Sequence, residues 1–281
     1  MKRLLTSLTF VFLLIISYCL LPQKLLSQET PVFDFNRAYQ DYQYTYSTYR
    51  EAHNEYVTAR EQYLTYKTLT AKTLALEQTL DMLQKRDESV RTYLTTLRMK
   101  MAETTGILNY KQTTLYLKLD AEVNWYIEHR DNLSSAGTLE DLVKSSDEAE
   151  RRYDKTLILI YQTLGIILEG KENNLRDQIN EQIELANDKI SQIREKEDKD
   201  TTIAERWLLE AENKLTRSQE KIDEATNILN TMKPHERDKA GNYSQSQKLF
   251  QESHLYLKEA NSFLKELIRE IKTADEVNLS D

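Results

Sequence analysis

Residues 32 to 233 contain no proline. Proline lacks a backbone donor and clashes with the preceding turn, so it is the ordinary terminator of helices. A stretch this long without it permits helices well beyond the usual three or four turns. Glycine occurs five times and proline three times, with Pro22 and Pro31 ahead of the stretch and Pro234 beyond it. Sheets need frequent turns, and turns draw on both residues. Their scarcity predicts an all-α chain, an elongated antiparallel coiled-coil or helical-bundle rod of about five long helices.

Apolar periodicity sets the expected boundaries. Asp34 and Asn36 are good N-caps, so a first helix is expected from there to about Thr104, ended by Gly106. Its first part carries Tyr39, Tyr42, Tyr46, Tyr49, His53, Tyr56, Arg60 and Tyr63 at steps of three and four, which makes one seam along a helix. From Tyr66 a second register runs through Leu69, Thr73, Leu76, Leu80, Leu83, Asp87, Val90, Leu94, Leu97 and Met101. The slip between Tyr63 and Tyr66 marks a change of supercoil or an exchange of neighbours. A second helix is expected over about 107–133. A third opens at the Thr138–Asp141 capping box and runs to about Glu197, with a kink or break near Gly170.

Thr202 with Glu205 opens a fourth helix, and Ser244 with Gln247 opens a fifth. These two carry matched seams that alternate bulky and small residues. One is Leu208, Ala211, Leu215, Ser218, Ile222, Ala225, Leu229 and Met232; the other is Phe250, Ser253, Leu257, Ala260, Leu264, Leu267, Ile271 and Ala274. The tail of the third helix offers Ile179, Ile183, Ala186, Ile190 and Ile193. The expected parts are a Tyr-rich helical stalk over 28–65, an upstream three-helix bundle over 66–170 and a C-terminal three-helix bundle over 171–281.

Ahead of this body, Lys2 and Arg3 precede an apolar run from Leu4 to Leu21. Charge followed by apolar residues is the layout of a secretory signal, and the run is close to bilayer length. Residues 1–27 are read as a signal peptide or an uncleaved signal anchor, with membrane contact through this segment. The body is expected to be periplasmic, cell-surface or secreted, either free or anchored by residues 4–21. The single cysteine, Cys19, lies in that run. The body thus offers no thiol for a disulfide or a metal.

The formal charge is −8; without residues 1–27, which hold Lys2, Arg3 and Lys24 and no acid, 35 basic residues face 46 acidic ones, or −11. Phosphate backbones need clustered positive charge, so no nucleic-acid partner is expected. None of the four histidines, His53, His129, His235 and His254, sits three or four residues from another, so no helical metal pair is read. Gly-rich phosphate loops and nucleophile elbows are absent from the sequence. No catalytic residue, cofactor, metal or small-molecule substrate is therefore expected. The densest titratable cluster, Glu128-His129-Arg130-Asp131, reads as an exposed helix face.

Two features remain as candidates. The run 157–168 is the most apolar part of the body. As a helix it spans about 18 Å against a hydrocarbon core of ~30 Å, so it reads as a strut enclosed by neighbours. The alternative is a membrane-active helical protein that inserts this segment. The second candidate is the tyrosine face. Nothing in the expected layout returns beside residues 36 to 65, which leaves Tyr39, Tyr42, Tyr46, Tyr49, Tyr56 and Tyr63 for a partner. The competing layout breaks the helix near the phase slip at Tyr63 and folds the segment back on its own bundle. The expected function is a non-enzymatic exported scaffold or spacer at the cell envelope. It acts through helix–helix contacts with itself or another helical protein.

Overall fold

The computed structural model describes residues 34–196 and 200–277. The signal segment 1–27, its apolar run 4–21 and Cys19 lie outside those residues. Among the described residues the chain is an all-helical bundle of six α-helices without a strand. They are α1 (Phe35–Tyr66), α2 (Leu69–Ala102), α3 (Asn109–Asn132), α4 (Leu139–Glu195), α5 (Thr202–Thr231) and α6 (Lys239–Val277), with a 3-10 turn at Leu133–Ser135.

The sixth helix arises because the expected first one is broken. Lys67 adopts the left-handed conformation (φ 51°), and its N–H donates to the Tyr63 carbonyl at 2.9 Å. That bond closes α1 in the manner of an αL cap. Thr68 then caps α2, its hydroxyl accepting from the Ala71 N–H at 3.2 Å. The chain reverses in two residues, so α2 returns along α1. The two threonine hydroxyls of Thr45 and Thr92 meet at 2.7 Å, and Thr96 donates to the Ala38 carbonyl at 2.9 Å. Residues 36 to 65 therefore have an intramolecular partner: the chain takes the fold-back layout and not the unpartnered stalk. The phase slip near Tyr63 was the sequence trace of this reversal.

The seam of α1 also lies one residue away from the expected row. Ala38, Ala52 and Ala59 are the buried positions, while Tyr42, Thr45, Tyr49, Tyr56 and Tyr63 are half-buried. Tyr39, Tyr46, His53 and Arg60 form an outer, exposed row. Small residues win the contact because they let the α1 and α2 backbones approach closely. The expected α2 register is buried or half-buried from Leu76 to Met101, whereas Leu69 and Thr73 face water.

α4 is the axis of the molecule, 57 residues long and continuous through Gly165 and Gly170. The helix does not break there, and both glycines are sites of close approach. A Cβ on Gly165 would overlap the Leu229 side chain of α5. One on Gly170 would stand 2.5 Å from Ile107 and 2.9 Å from the Thr105 carbonyl. Facing it, Gly106 turns the chain between α2 and α3 at φ +80°, with its Cα against the Gly170 carbonyl. Two glycines thus let a turn seat directly on a helix.

Around α4 the apolar run is enclosed from two sides. Leu159, Ile160 and Ile167 pack with Leu94, Leu97, Met101, Leu119 and Tyr126 of α2 and α3. Ile158 packs with Ile222, Leu229 and Phe250 of α5 and α6. Among the described residues no helix is long and apolar enough to cross a membrane.

The expected seams are buried from Leu208 to Met232 along α5 and from Phe250 to Leu267 in α6, including a serine pair, Ser218 and Ser253, whose hydroxyls meet at 2.8 Å; Ile271 is half-buried and the Ala274 side chain lies outside the described residues. These helices do not stop at residue 171. Gln162 donates to the Leu229 carbonyl at 3.2 Å, and Tyr161 stacks on Tyr243 at 4.6 Å. Further back, Lys239 donates to Asp154 at 2.7 Å. The expected boundary at 170/171 is therefore bridged by the helices that were to lie beyond it. α6 also starts ahead of Ser244: the Asp238 carboxylate accepts from the Gly241 N–H at 3.0 Å and supplies the cap. The Thr138–Asp141 box forms as expected, with Asp141 N–H donating to Thr138 at 3.2 Å.

The Gly106–Gly170 crossing makes a direct test. Gly106→Ala forces a side chain into left-handed backbone and against a carbonyl. It is expected to destabilise the protein by about 3 kcal/mol in urea melts. A loss under about 0.5 kcal/mol would show that the turn does not seat on α4.

Candidate functional site: a tyrosine-lined groove

Residues three and four apart on a helix share a face. Along α1 this spacing builds a ladder of rings, Phe35, Tyr39, Tyr42, Tyr46, Tyr49, His53 and Tyr56, with successive centroids 5.8 to 6.5 Å apart. The return of α2 brings Tyr93 to within 5.0 Å of Tyr42. Between α1, α2 and α4 a groove of about 590 Å³ remains. Val90, Leu157, Ile160 and Leu164 supply its aliphatic lining, and Tyr42, Tyr46, Tyr49, Tyr93, Tyr153 and Tyr161 its aromatic one.

The six tyrosines read from the sequence do not act as one site. Tyr42, Tyr46 and Tyr49 line the groove. Tyr39 stands beside it, half-exposed, stacked on Phe35 at 5.8 Å. Tyr56 leans on the cluster of Met82, Leu83 and Leu142. Tyr63 lies at the far end of α1, where its carbonyl ends the helix. Sequence reasoning missed Tyr93, Tyr126, Tyr153 and Tyr161, because they come from three other helices and no spacing joins them to α1.

Burial raises the pKa of four of the phenols here. It pushes Tyr93 and Tyr126 up to about 12, and it raises Tyr42 and Tyr153 as well. Tyr126, only 2% exposed, lines the groove from α3. Its hydroxyl lies beside Thr156, which donates to Glu122 at 2.8 Å and can still accept from Tyr126. The groove is thus an apolar cleft edged by neutral hydroxyl donors. Such a surface suits an amphipathic occupant.

Beside the groove lies a buried charge cluster. Arg86 lines the groove and donates to one oxygen of Asp87, with Nε and Nη2 both at 3.2 Å. A third donor of Arg86 reaches the Ser146 hydroxyl at 3.2 Å. Asp87 is fully buried, and its other oxygen meets His129 Nδ1 at 2.5 Å. His129 Nε2 meets the Ser145 carbonyl at 3.1 Å. A carboxylate and a carbonyl both accept, so this arrangement favours the imidazolium, in which both ring nitrogens donate. Burial opposes that charge, but the Asp87 hydrogen bond and charge outweigh it, and the His129 pKa is raised. Trp125 stacks on the ring at 4.7 Å. Arg152 covers Trp125 at 5.3 Å and holds Glu122 through bonds of 2.9 and 2.7 Å.

This corrects the reading of Glu128-His129-Arg130-Asp131 as an exposed face, since His129 is in the core. A signal was present: Asp87 occupies a leucine position of the α2 seam, and a buried acid requires a cationic partner. Of the other histidines, His235 meets Asp154 and His254 meets Glu172, each at 3.4 Å, while His53 stays in the α1 ladder. Among the described residues no group of three His, Cys, Asp or Glu is arranged to hold a metal ion.

No protein-family model matches this chain, and no curated protein or solved structure matches it either.

The His129 pair has a pH signature. A raised folded pKa means the stabilisation is complete below the unfolded value of about 6.5 and is lost as pH rises through the folded value. In urea melts the stability gap between wild type and His129→Gln should therefore narrow as pH is raised from 6.5. A gap that stays constant would mean that His129 is neutral. Asp87→Ala should cost roughly 3–5 kcal/mol at neutral pH, because it strands Arg86 and His129.

Proposed function

We propose that this chain is a non-enzymatic exported interaction protein, a scaffold or spacer of the cell envelope that works through helix–helix contacts. Its partner is a second copy or another helical protein. One observation carries this reading: the α1 aromatic row, half-exposed at Tyr39 and Tyr46, borders the groove of about 590 Å³. A docking helix presents large side chains every three or four residues. Its anchors would enter between Tyr42, Tyr46 and Tyr153, whose hydroxyls tolerate the wet rim of an interface. Long helices in coiled-coil-like pairing, α4 above all, support the rod-like spacer role. Export rests on Lys2, Arg3 and the apolar run that follows.

Insertion of residues 157–168 into a bilayer would require α4 to leave Leu229 on one side and Met101 on the other. The packing favours the interaction reading instead.

Tyr39→Ser with Tyr46→Ser removes two exposed rings and no buried one, so folding stability should change by less than about 1 kcal/mol. Self-association, followed by sedimentation velocity over a concentration series, should weaken at least tenfold on the scale of a lost interface anchor. For a heterologous partner, p-benzoylphenylalanine at position 46 should form one discrete adduct with an envelope protein in cells. A chain that stays monomeric throughout and forms no adduct would end this reading.

A further inference from the structure

The hairpin of α1 and α2 has a tip built the wrong way round for water. The 3-10 turn and the start of α4 reach it only at the level of Ala52, Met82 and Leu83, through Leu133 and Leu142. Beyond that level, among the described residues, the two helices pack on each other. Between Val57 and Leu74 the buried residues are Ala59 and Ala71, and Tyr63 is half-buried. The large apolar side chains face outward: Leu69 is 81% exposed, Tyr66 70% and Leu64 53%. A hairpin stabilised in water places leucine inside and small polar residues outside. Alanine between the helices and leucine outside is the arrangement of helices whose surroundings are themselves apolar.

The charge of the tip differs from that of the body. Residues 57–74 hold Arg60, Lys67 and Lys72 against Glu61, or +2, in a chain whose residues 28–281 carry −11. None of these three cations makes an ion pair among the described residues. Lys67 sits at the apex between Tyr66 and Leu69. Tyrosine favours the water–lipid boundary, and lysine keeps its charge at the surface while its stem lies along apolar groups.

We propose that the α1–α2 tip docks on an anionic lipid surface. Leu64, Tyr66 and Leu69 enter the boundary region to a depth of roughly 5–10 Å, and Arg60, Lys67 and Lys72 pair with lipid phosphates. The tip is too short to span a bilayer, so it is a surface contact. It neither uses the tyrosine groove nor depends on the partner proposed for it.

The test places an environment-sensitive nitrobenzoxadiazole label at Thr65→Cys in the full chain with Cys19→Ser. A label there reads the tip alone, whatever else in the chain meets lipid. Vesicles of phosphatidylcholine mixed with phosphatidylglycerol should brighten the label several-fold and shift its emission to the blue. Phosphatidylcholine alone should not. Lys67→Glu with Lys72→Glu should weaken binding at least tenfold, given the contribution of each basic residue near an anionic surface. Leu64→Ser with Leu69→Ser should abolish the shift while circular dichroism stays unchanged. An equal response to both vesicle types would overturn the anionic assignment. No response to the mixed vesicles would overturn lipid docking altogether and make an acidic protein surface the occupant to pursue.

Discussion

Everything in this fold depends on α4 being enclosed between Asp154 and Gly170. That stretch is the only one to which α2, α3, α5 and α6 all bring side chains in the clusters around it. Its apolar residues point in every direction around the helix, so one neighbouring sheet of helices could not cover them. Two sets of neighbours do. Gly165 and Gly170 set how near those neighbours come, because a Cβ at either position would meet another helix or turn. The length of α4 beyond this stretch then follows. Towards its start it pairs with α2 and α3, and towards its end with α5 and α6.

Around this apolar centre the charges are arranged unevenly. Most acids and bases pair on exposed helix faces, where such pairs contribute little. The Arg86–Asp87–His129 cluster is different. It replaces a leucine layer of the α2–α3 contact with groups whose hydrogen bonds allow one register only. A buried charged cluster is a poor source of stability next to an apolar one, but a slipped register would leave its members unpaired. It also holds Arg86 and Tyr126 next to the groove. The rigidity of that cluster is one reason the groove keeps its shape.

The α1–α2 hairpin carries the tyrosine row and the exposed leucines of the tip. Its seam is made of Ala38, Ala52 and Ala59, and alanine releases little free energy per contact. Larger side chains therefore remain outside the seam, as the tyrosine row along the shaft and as Leu64, Tyr66 and Leu69 at the tip. Where α3 and α4 lie alongside, they cover part of the row and leave a groove. Where they end, nothing among the described residues covers the tip. One packing choice, small residues inside, leaves on the hairpin the two surfaces proposed above for binding.

The sequence by itself determined the helical class. It also gave the phase of the α5 and α6 seams, the Thr138 cap and the buried character of residues 157–168. These are local properties: period, capping chemistry and the absence of proline act within a few turns. The slip near Tyr63 left either a continuous helix or a reversal open, and the tertiary structure decided for a reversal at Lys67. A lysine has no intrinsic preference for left-handed backbone, and it adopts it here because Ala38 to Ala59 can dock on α2. It likewise decided which face of α1 is the seam, since large residues mark a seam in the sequence whereas close approach selects small ones. The groove was illegible for a related reason. Its tyrosines come from four helices, and only packing brings Tyr42, Tyr93, Tyr126 and Tyr153 together. Asp87 is the intermediate case. Its place among leucines announced a buried partner, but that the partner would be His129 depended on the turn at Gly106 setting α3 against α2.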